Sequence, residues 1–558
     1  MSAPSDPKNQ SNAHPRPSAA CLRCRSRHLK CDGAKPACNR CALTATDCLY
    51  APSRRGGLNR AALAERRKRL AANADSNALI DAYYTYFHPL HPFIVPRNYF
   101  ARLEVDAAGS PAIKALTAVM RLIGNIYIEQ SWSVELNDQV QACLPQANQD
   151  SPFMVQARLL YSVVLFWNGR QTEAKEELGL ATNLALELGI QRQDYADAHS
   201  KGDPVLAESW RRTWWSLYII SAYYAGTLGT MNFTVMAVEA TVDLPCEESE
   251  YETGEIPEPK TVEDFENREF ASEEVSFSSF AYLIGAVKCA ALAVSIAPRV
   301  LSNQDSPRII QEADSIIDAW SLLLPTDRTQ VMNKAGQIDE LLFQAHLLIH
   351  VATIGLHRPL SSLRFNPVED VSSCAREHPP ETPRPELADV HTVRVLRSVE
   401  AQIRLLALPS RPFHHTPFTT CMISEGSLAL LSACNFLLEG RELAVARDQI
   451  RLIIGCLKAL GDLWPRTAKN VREIQTIARH VLGLGGRKTD NSSSGTPVSG
   501  RVPSLSASQG SVGSMAEPVS DETSEVPPFD PMSMNDVCGW YSMEDFGPQF
   551  AEWISNEQ

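Results

Sequence analysis

Cys21-Leu22-Arg23-Cys24-Arg25-Ser26-Arg27-His28-Leu29-Lys30-Cys31 and Cys38-Asn39-Arg40-Cys41-Ala42-Leu43-Thr44-Ala45-Thr46-Asp47-Cys48 are one pattern, C-x2-C-x6-C, written twice. The chain has fourteen cysteines; six stand here, and eight are spread singly from Cys143 to Cys538. Residues 1–20 are polar, rich in Pro and Ser, and lack the apolar run of a secretory leader. The thiols are therefore expected in a reducing compartment, where disulfides are an improbable use for them. The eight scattered cysteines read as small core hydrophobes or inert thiols. The six clustered ones point to metal. Zinc takes four ligands in tetrahedral geometry and prefers thiolate. Three cysteines per half cannot close one zinc, and two zincs need eight ligand positions, so two of the six thiolates must bridge. That gives a closed binuclear cluster, which is structural and not catalytic. Two Zn²⁺ with six thiolates carry −2, which nearby Arg and Lys offset while holding the thiolates deprotonated. So small a module has almost no apolar core, and metal binding must supply its folding free energy.

Charge is segregated around this cluster. The whole chain of 558 residues has a net charge of −13, yet residues 1–75 hold fifteen Lys/Arg against five Asp/Glu, a net of +10. A basic head on an acidic body suggests a polyanion partner for the head alone. The 44% apolar and 21% charged content is that of a soluble globular protein, and the length allows about three or four domains. The most apolar stretches, 281–297 and 426–438, fall short of the ~20 residues that a membrane span needs and read as buried helices.

The cysteine spacing resembles that of the fungal zinc binuclear cluster (Zn2Cys6) family. The match takes in the basic run Arg23, Arg25, Arg27, His28 and Lys30, and Lys35-Pro36 before Cys38, where the family has a loop proline joining the halves. In that family the first Cys of each half bridges the metals. The resemblance thus implies one zinc on Cys21, Cys24, Cys31 and Cys38, and another on Cys38, Cys41, Cys48 and Cys21. Only the first half presents a cationic helix, so that half should enter the major groove, its Arg and Lys on phosphates fixing register. By resemblance, Arg27 and His28 face the base edges of a CGG-type triplet, whose guanine N7 and O6 are acceptors. Arg40, from the second half, completes the set of expected DNA contacts. Several family members carry Lys where this chain has His28, a shorter side chain that is mostly neutral at pH 7.

Beyond the cluster, 49–76 read as a basic linker. Arg66, Arg67, Lys68 and Arg69 read as a nuclear import signal or as further phosphate contacts. Leu63 and Leu70 are seven apart, but Asn77 follows and Arg66 and Asn73 fill the other seam, so the zipper signal is weak. From 77 to 484 apolar residues recur at three and four, which predicts an all-α body, and Asn168-Gly169 split two helical runs at 153–166 and 171–188. Trp210, Trp214, Trp215, Tyr218 and Ile219 fall on one helical face. The acidic, Pro-bearing 244–274 and the Pro-rich 366–389 read as exposed loops. This body resembles the fungal transcription factor regulatory (middle homology) domain, on four segments in order: Tyr83 to Pro92, Ala181 to Ile190, Arg211-Arg212-Thr213-Trp214-Trp215-Ser216-Leu217-Tyr218, and Leu356-His357-Arg358-Pro359. Ser221-Ala222 stand where many members have an acidic-basic pair, which implies the loss of a surface ion pair. Residues 1–20 and the Ser/Gly/Pro-rich 485–528 are too poor in apolar residues to fold.

No HExxH, Walker loop, GxSxG or strand-borne GxGxxG is present, so no enzyme activity is expected. His88, His91, His357, His414 and His415 read as packing or capping residues, and Trp214-Trp215 as core. The tail 529–558 sets Trp540, Phe546, Phe550 and Trp553 among acids, with no Lys or Arg after Arg501. Such a segment suits a coactivator groove; its rival reading is a final helix packed on the body. The expectation is a nuclear, sequence-specific, zinc-dependent regulator of RNA polymerase II transcription. It would bind double-stranded DNA with two Zn²⁺ per chain, most simply as an activator recruiting coactivators, and as a pathway-specific regulator. Any homodimer would depend on the body or on the DNA. The rivals are a repressor or DNA-bound co-regulator, and a zinc-stapled protein-interaction scaffold.

Overall fold

The computed structural model describes residues 21, 24, 31–35, 37–44, 46, 48, 76–106, 110–146, 150–229, 233–271, 275–300, 306–374, 388–409 and 415–483. Their regular structure is helical: two isolated bridges, Leu244 with Lys260 and Met332 with Ile338, are the extended pairings among them. No helix among them is long and apolar enough to cross a membrane. The expected α-helical fold class is what the body has. The short helix α1 (Asn39–Leu43) belongs to the second cysteine half. The rest divides into two compact units, one drawn from residues before 218 with 239–264 and 462–465, the other from 218–238, 265–461 and the residues after 465.

The first unit holds α2 (Ser76–Tyr86), α3 (Arg97–Asp106), α4 (Pro111–Glu129), α5 (Val134–Cys143), α6 (Pro152–Trp167), α7 (Gln171–Leu188), α8 (Gln193–His199) and the part of α9 (Pro204–Leu228) up to Leu217. Helix α6 turns back into α7 at Gly169, whose φ of +87° is a conformation that glycine adopts without a Cβ penalty. This is the turn that Asn168-Gly169 announces. Helices α2 and α4 approach so closely at Gly124 that a Cβ there would lie 1.9 Å from the Leu79 carbonyl oxygen. Two features depart from the sequence reading. The 207–217 stretch of α9 is buried on every side, Arg211, Arg212 and Thr213 included, so burial extends beyond the face that carries the large residues. The 244–274 stretch is an exposed loop only in part: Glu252, Glu255, Glu258 and Glu263 are exposed, but α10 (Glu248–Thr253) and α11 (Val262–Glu266) interrupt it and Tyr251 is fully buried. Arg212 explains both, since a buried guanidinium needs acceptors from a neighbouring segment.

In the second unit α14 (Glu340–His357) packs against α12 (Ser279–Val300), α15 (Ala388–Leu406) and α16 (Thr419–Phe436). Helices α13 (Ser306–Leu322), α17 (Gly440–Gly461) and most of α18 (Pro465–Val481) complete it. The apolar stretches at 281–297 and 426–438 fall on α12 and α16, as expected of buried helices. Part of the Pro-rich 366–389 is also tied down: Glu369 is buried and receives both bonds of Arg358 Nη2, at 2.9 and 2.7 Å. Ser221 is buried and Ala222 half-buried, so the departure at this pair lies in the interior and removes no surface ion pair.

Candidate metal centre and nucleic-acid interface

The repeated pattern folds as a repeat. In the first half the Cys21 N–H donates to Cys31 Sγ at 3.5 Å; in the second the Cys38 N–H donates to Cys48 Sγ at 3.2 Å. The same ten-residue step is thus closed in both halves. Asp32, just past Cys31, accepts from Ala34 N–H at 3.4 Å and Asn39 N–H at 3.1 Å, and so ties the joint to the start of α1. Sequence reasoning passed over Asp32; the signal was an Asp opening a turn before Gly33, whose φ is +71°.

Six sulfurs converge. Cys21, Cys24, Cys38 and Cys41 are buried and Cys31 and Cys48 pack against them. Cys21 Sγ lies 3.8 Å from Cys38 Sγ and 3.7 Å from Cys41 Sγ, and Cys24 Sγ lies 3.8 Å from Cys38 Sγ. Two groups of four donors form, each with its atoms within 4.8 Å: Cys21, Cys24, Cys31, Cys38, and Cys21, Cys38, Cys41, Cys48. Cys21 and Cys38 stand in both. The chemistry of this donor set fits zinc. The Cys24 N–H donating to Cys21 Sγ at 3.4 Å helps hold that thiol down at about 6, so one thiolate is available at neutral pH. Desolvation pushes Cys24 up to about 12 and raises Cys41 as well. Without cations Cys24, Cys38 and Cys41 would keep their protons; bound cations reverse that order.

The comparisons agree with this arrangement. The fungal Zn(2)-Cys(6) binuclear cluster domain matches residues 19–56, and the fungal specific transcription factor domain matches 125–315. The first match takes in the cysteine cluster, the second part of the helical body. The C6 finger domain transcription factor iacK of Pestalotiopsis fici is 29% identical over 570 residues, covering 86% of this chain and 82% of its own. No solved structure matches. A Zn2Cys6 domain with a fungal transcription factor domain makes the protein a DNA-binding transcription regulator, with cysteines that suit zinc.

Of the expected DNA contacts, Arg40 is described: it is exposed on α1, where Thr44 Oγ1 donates to its carbonyl at 3.0 Å. Arg23, Arg25, Arg27, His28 and Lys30 lie outside the described residues, as do Arg66, Arg67, Lys68, Arg69, His414 and the tail residues Trp540, Phe546, Phe550 and Trp553.

In the helical body His88, His91, His357 and His415 are interior packing groups. His88 donates through Nε2 to Ile94 O at 3.0 Å, and burial lowers His91 to about 3. His357 pairs with Asp314 at 2.8 Å, and His415 with Glu340 at 2.8 Å while stacked on Phe343. His88, Glu248 and Glu252 also bring donor atoms within 4.8 Å of one another, but Arg212 Nη1 already holds Glu248 at 2.6 Å. A guanidinium supplies the positive charge there, so no cation is required. Trp214 and Trp215 are core residues, 0% and 1% exposed.

Proposed function

We propose that the protein is a nuclear transcriptional activator whose head holds two Zn²⁺ and reads CGG-type triplets. Cys21, Cys24, Cys31 and Cys38 hold one ion; Cys38, Cys41, Cys48 and Cys21 hold the other. The single observation carrying this is the pair of four-sulfur groups with Cys21 and Cys38 in common. The ions supply cross-links in place of an apolar core. The protein's own part is to present a basic surface: Arg23, Arg25 and Lys30 to phosphates, Arg27 and His28 to base edges, with Arg40 as a further phosphate contact. Arg66, Arg67, Lys68 and Arg69 serve nuclear import or add phosphate contacts. The tail 529–558 engages coactivators, and a homodimer, where one forms, is assembled by the body or on the DNA. Regulation of one dedicated pathway, such as a biosynthetic gene cluster, fits a member of this family with a C6 finger transcription factor as relative.

Metal counting tests the shared-ligand arrangement. The full chain should carry two zincs by elemental analysis, and Cys38→Ala should lose both, because its thiolate serves both ions. A count of one in the parent protein, or of two in Cys38→Ala, would overturn it.

A further inference from the structure

Two of the scattered cysteines are not solitary. Cys374 and Cys421 are 47 positions apart in sequence, yet both line one cavity, close enough for each to perturb the other's thiol. Cys374 lies three residues past the turn Pro367–Val371, and Cys421 sits in the first turn of α16. Both are half-buried, and both face a cavity of about 60 Å³ within the second unit. Much of its wall is apolar, with Ala222, Ala290 and Val351 among the lining residues. That volume exceeds the roughly 10–15 Å³ that one water requires, and admits a small neutral molecule.

The surroundings make the two sulfurs unequal. The neighbouring Cys374 side chain, and then the cation of Arg466, lower the Cys421 thiol. The neighbouring Cys421 side chain and burial hold the Cys374 thiol well above the ordinary range. Asn470 Nδ2 donates to Cys374 Sγ at 3.5 Å, and Ser373 bonds to Glu473 through its N–H and its hydroxyl at 2.9 and 2.8 Å. Cys374 is thus anchored beside Cys421. A nucleophilic sulfur, a neighbouring thiol and a small apolar chamber are together the requirements for a peroxide-reactive pair.

We propose that Cys421 and Cys374 form a modification site for small neutral hydroperoxides, Cys421 as the attacking thiolate and Cys374 as the resolving thiol. The Cys421 sulfur attacks the terminal peroxide oxygen; the O–O bond breaks, an S–O bond forms, and the alkoxide leaves and takes up a proton as the alcohol or, from hydrogen peroxide, as water. The Cys374 sulfur then attacks the Cys421 sulfenic acid, the S–S bond forms, and water departs. One hydroperoxide and two thiols become one disulfide, one alcohol and one water, with two electrons passing from sulfur to the O–O bond. The product ties the segment around Cys374 to α16 along one wall of the cavity.

The test uses the full, zinc-loaded chain, treated with hydrogen peroxide, quenched with an alkylating agent and mapped as non-reduced peptides. The expected first product is the Cys374–Cys421 linked peptide, formed at least about tenfold faster than oxidation of Cys143 or Cys434 and reversed by dithiothreitol. Cys374→Ser should leave Cys421 as a sulfenic acid that dimedone traps, and Cys421→Ser should leave Cys374 unreactive. Linkage no faster than oxidation of Cys143 and Cys434 would overturn the proposal, as would a Cys374 that still reacts at the parent rate in Cys421→Ser.

Discussion

Arg212→Leu should be among the most damaging single changes in the first unit. The Arg212 side chain is fully buried. Its Nε donates to Glu208 Oε1 at 2.8 Å, Nη1 to Glu248 Oε2 at 2.6 Å and to Pro92 O at 3.0 Å, and Nη2 to Cys246 O at 3.0 Å. Its guanidinium carbon sits 3.9 Å from the Tyr251 ring centroid. Leucine fills much of the volume but offers no donor, so the cost is electrostatic. Removing one partner of a buried pair costs about 3–5 kcal/mol, and each buried carbonyl left without a donor adds roughly 1–3 kcal/mol where water does not reach it. Glu208, 1% exposed, keeps Arg211 Nε at 3.0 Å, which offsets part of this. A loss of about 3–6 kcal/mol follows, which at a urea slope near 2 kcal/mol/M moves the midpoint down by about 1.5–3 M. The assay is a urea titration of the zinc-loaded full chain followed by tryptophan fluorescence, since Trp210, Trp214 and Trp215 lie on the same helix. Orphaned carboxylates neutralise by taking up a proton, so the deficit should be smaller at pH 5 than at pH 8. Replacing Glu208 as well, in Arg212→Met with Glu208→Met, should recover much of the loss. A midpoint shift below about 0.5 M, or a double variant no better than the single one, would refute the reasoning.

Gly124→Ala must push α2 from α4, because the obstacle is the backbone carbonyl of Leu79 and not a flexible side chain; about 1–3 kcal/mol of stability should be lost in the same urea titration. His28→Ala should change the triplet preferred in a binding-site selection, whereas Lys30→Ala or Arg25→Ala should weaken all sequences alike and flatten the salt dependence. Residues 516–558 fused to a neutral DNA-binding domain should activate a reporter. Alanine at Trp540, Phe546, Phe550 and Trp553 should abolish that activity, while removal of two or three acids should only reduce it.

How far the sequence could be read depended on how far apart the interacting residues stand. The cysteine cluster is local: its spacing alone requires shared ligands, and the structure places Cys21 and Cys38 in both donor groups. The α6–α7 turn is local too, announced by Asn168-Gly169. Periodicity exposed the buried helices but not which side chains inside them are charged. Arg212 meets Glu248 across 36 positions, and nothing in the acidic composition of 244–264 distinguishes a solvated loop from a clamp on a buried cation. Composition favoured the loop, and tertiary pairing overrode it in part. The same distance hides Cys374 and Cys421, whose proximity has no local signature. Ser221-Ala222 failed for a different reason: the family comparison located the position, but only packing tells whether it faces water or the core.

The two parts of the molecule are held by different physics, and that has a functional consequence. The body closes on itself through buried helices such as α6 and α14 and through neutralised interior charges such as Arg358 with Glu369 and Arg212 with Glu208. Among its described residues the cluster buries four cysteines and little else, and leaves Leu43 88% exposed on its own short helix. With so little apolar surface to remove from water, its folding free energy has to come from metal–thiolate bonds. DNA binding is therefore linked to zinc through the fold of the head, while anything the body senses or assembles need not be. A lesion in the body should leave zinc content unchanged, and a lesion in the cluster should leave the body's unfolding unchanged. The two kinds of failure can be told apart in one preparation by metal content and by tryptophan fluorescence, because Trp210, Trp214, Trp215 and Trp464 are all buried in the body and no tryptophan lies in residues 21–48.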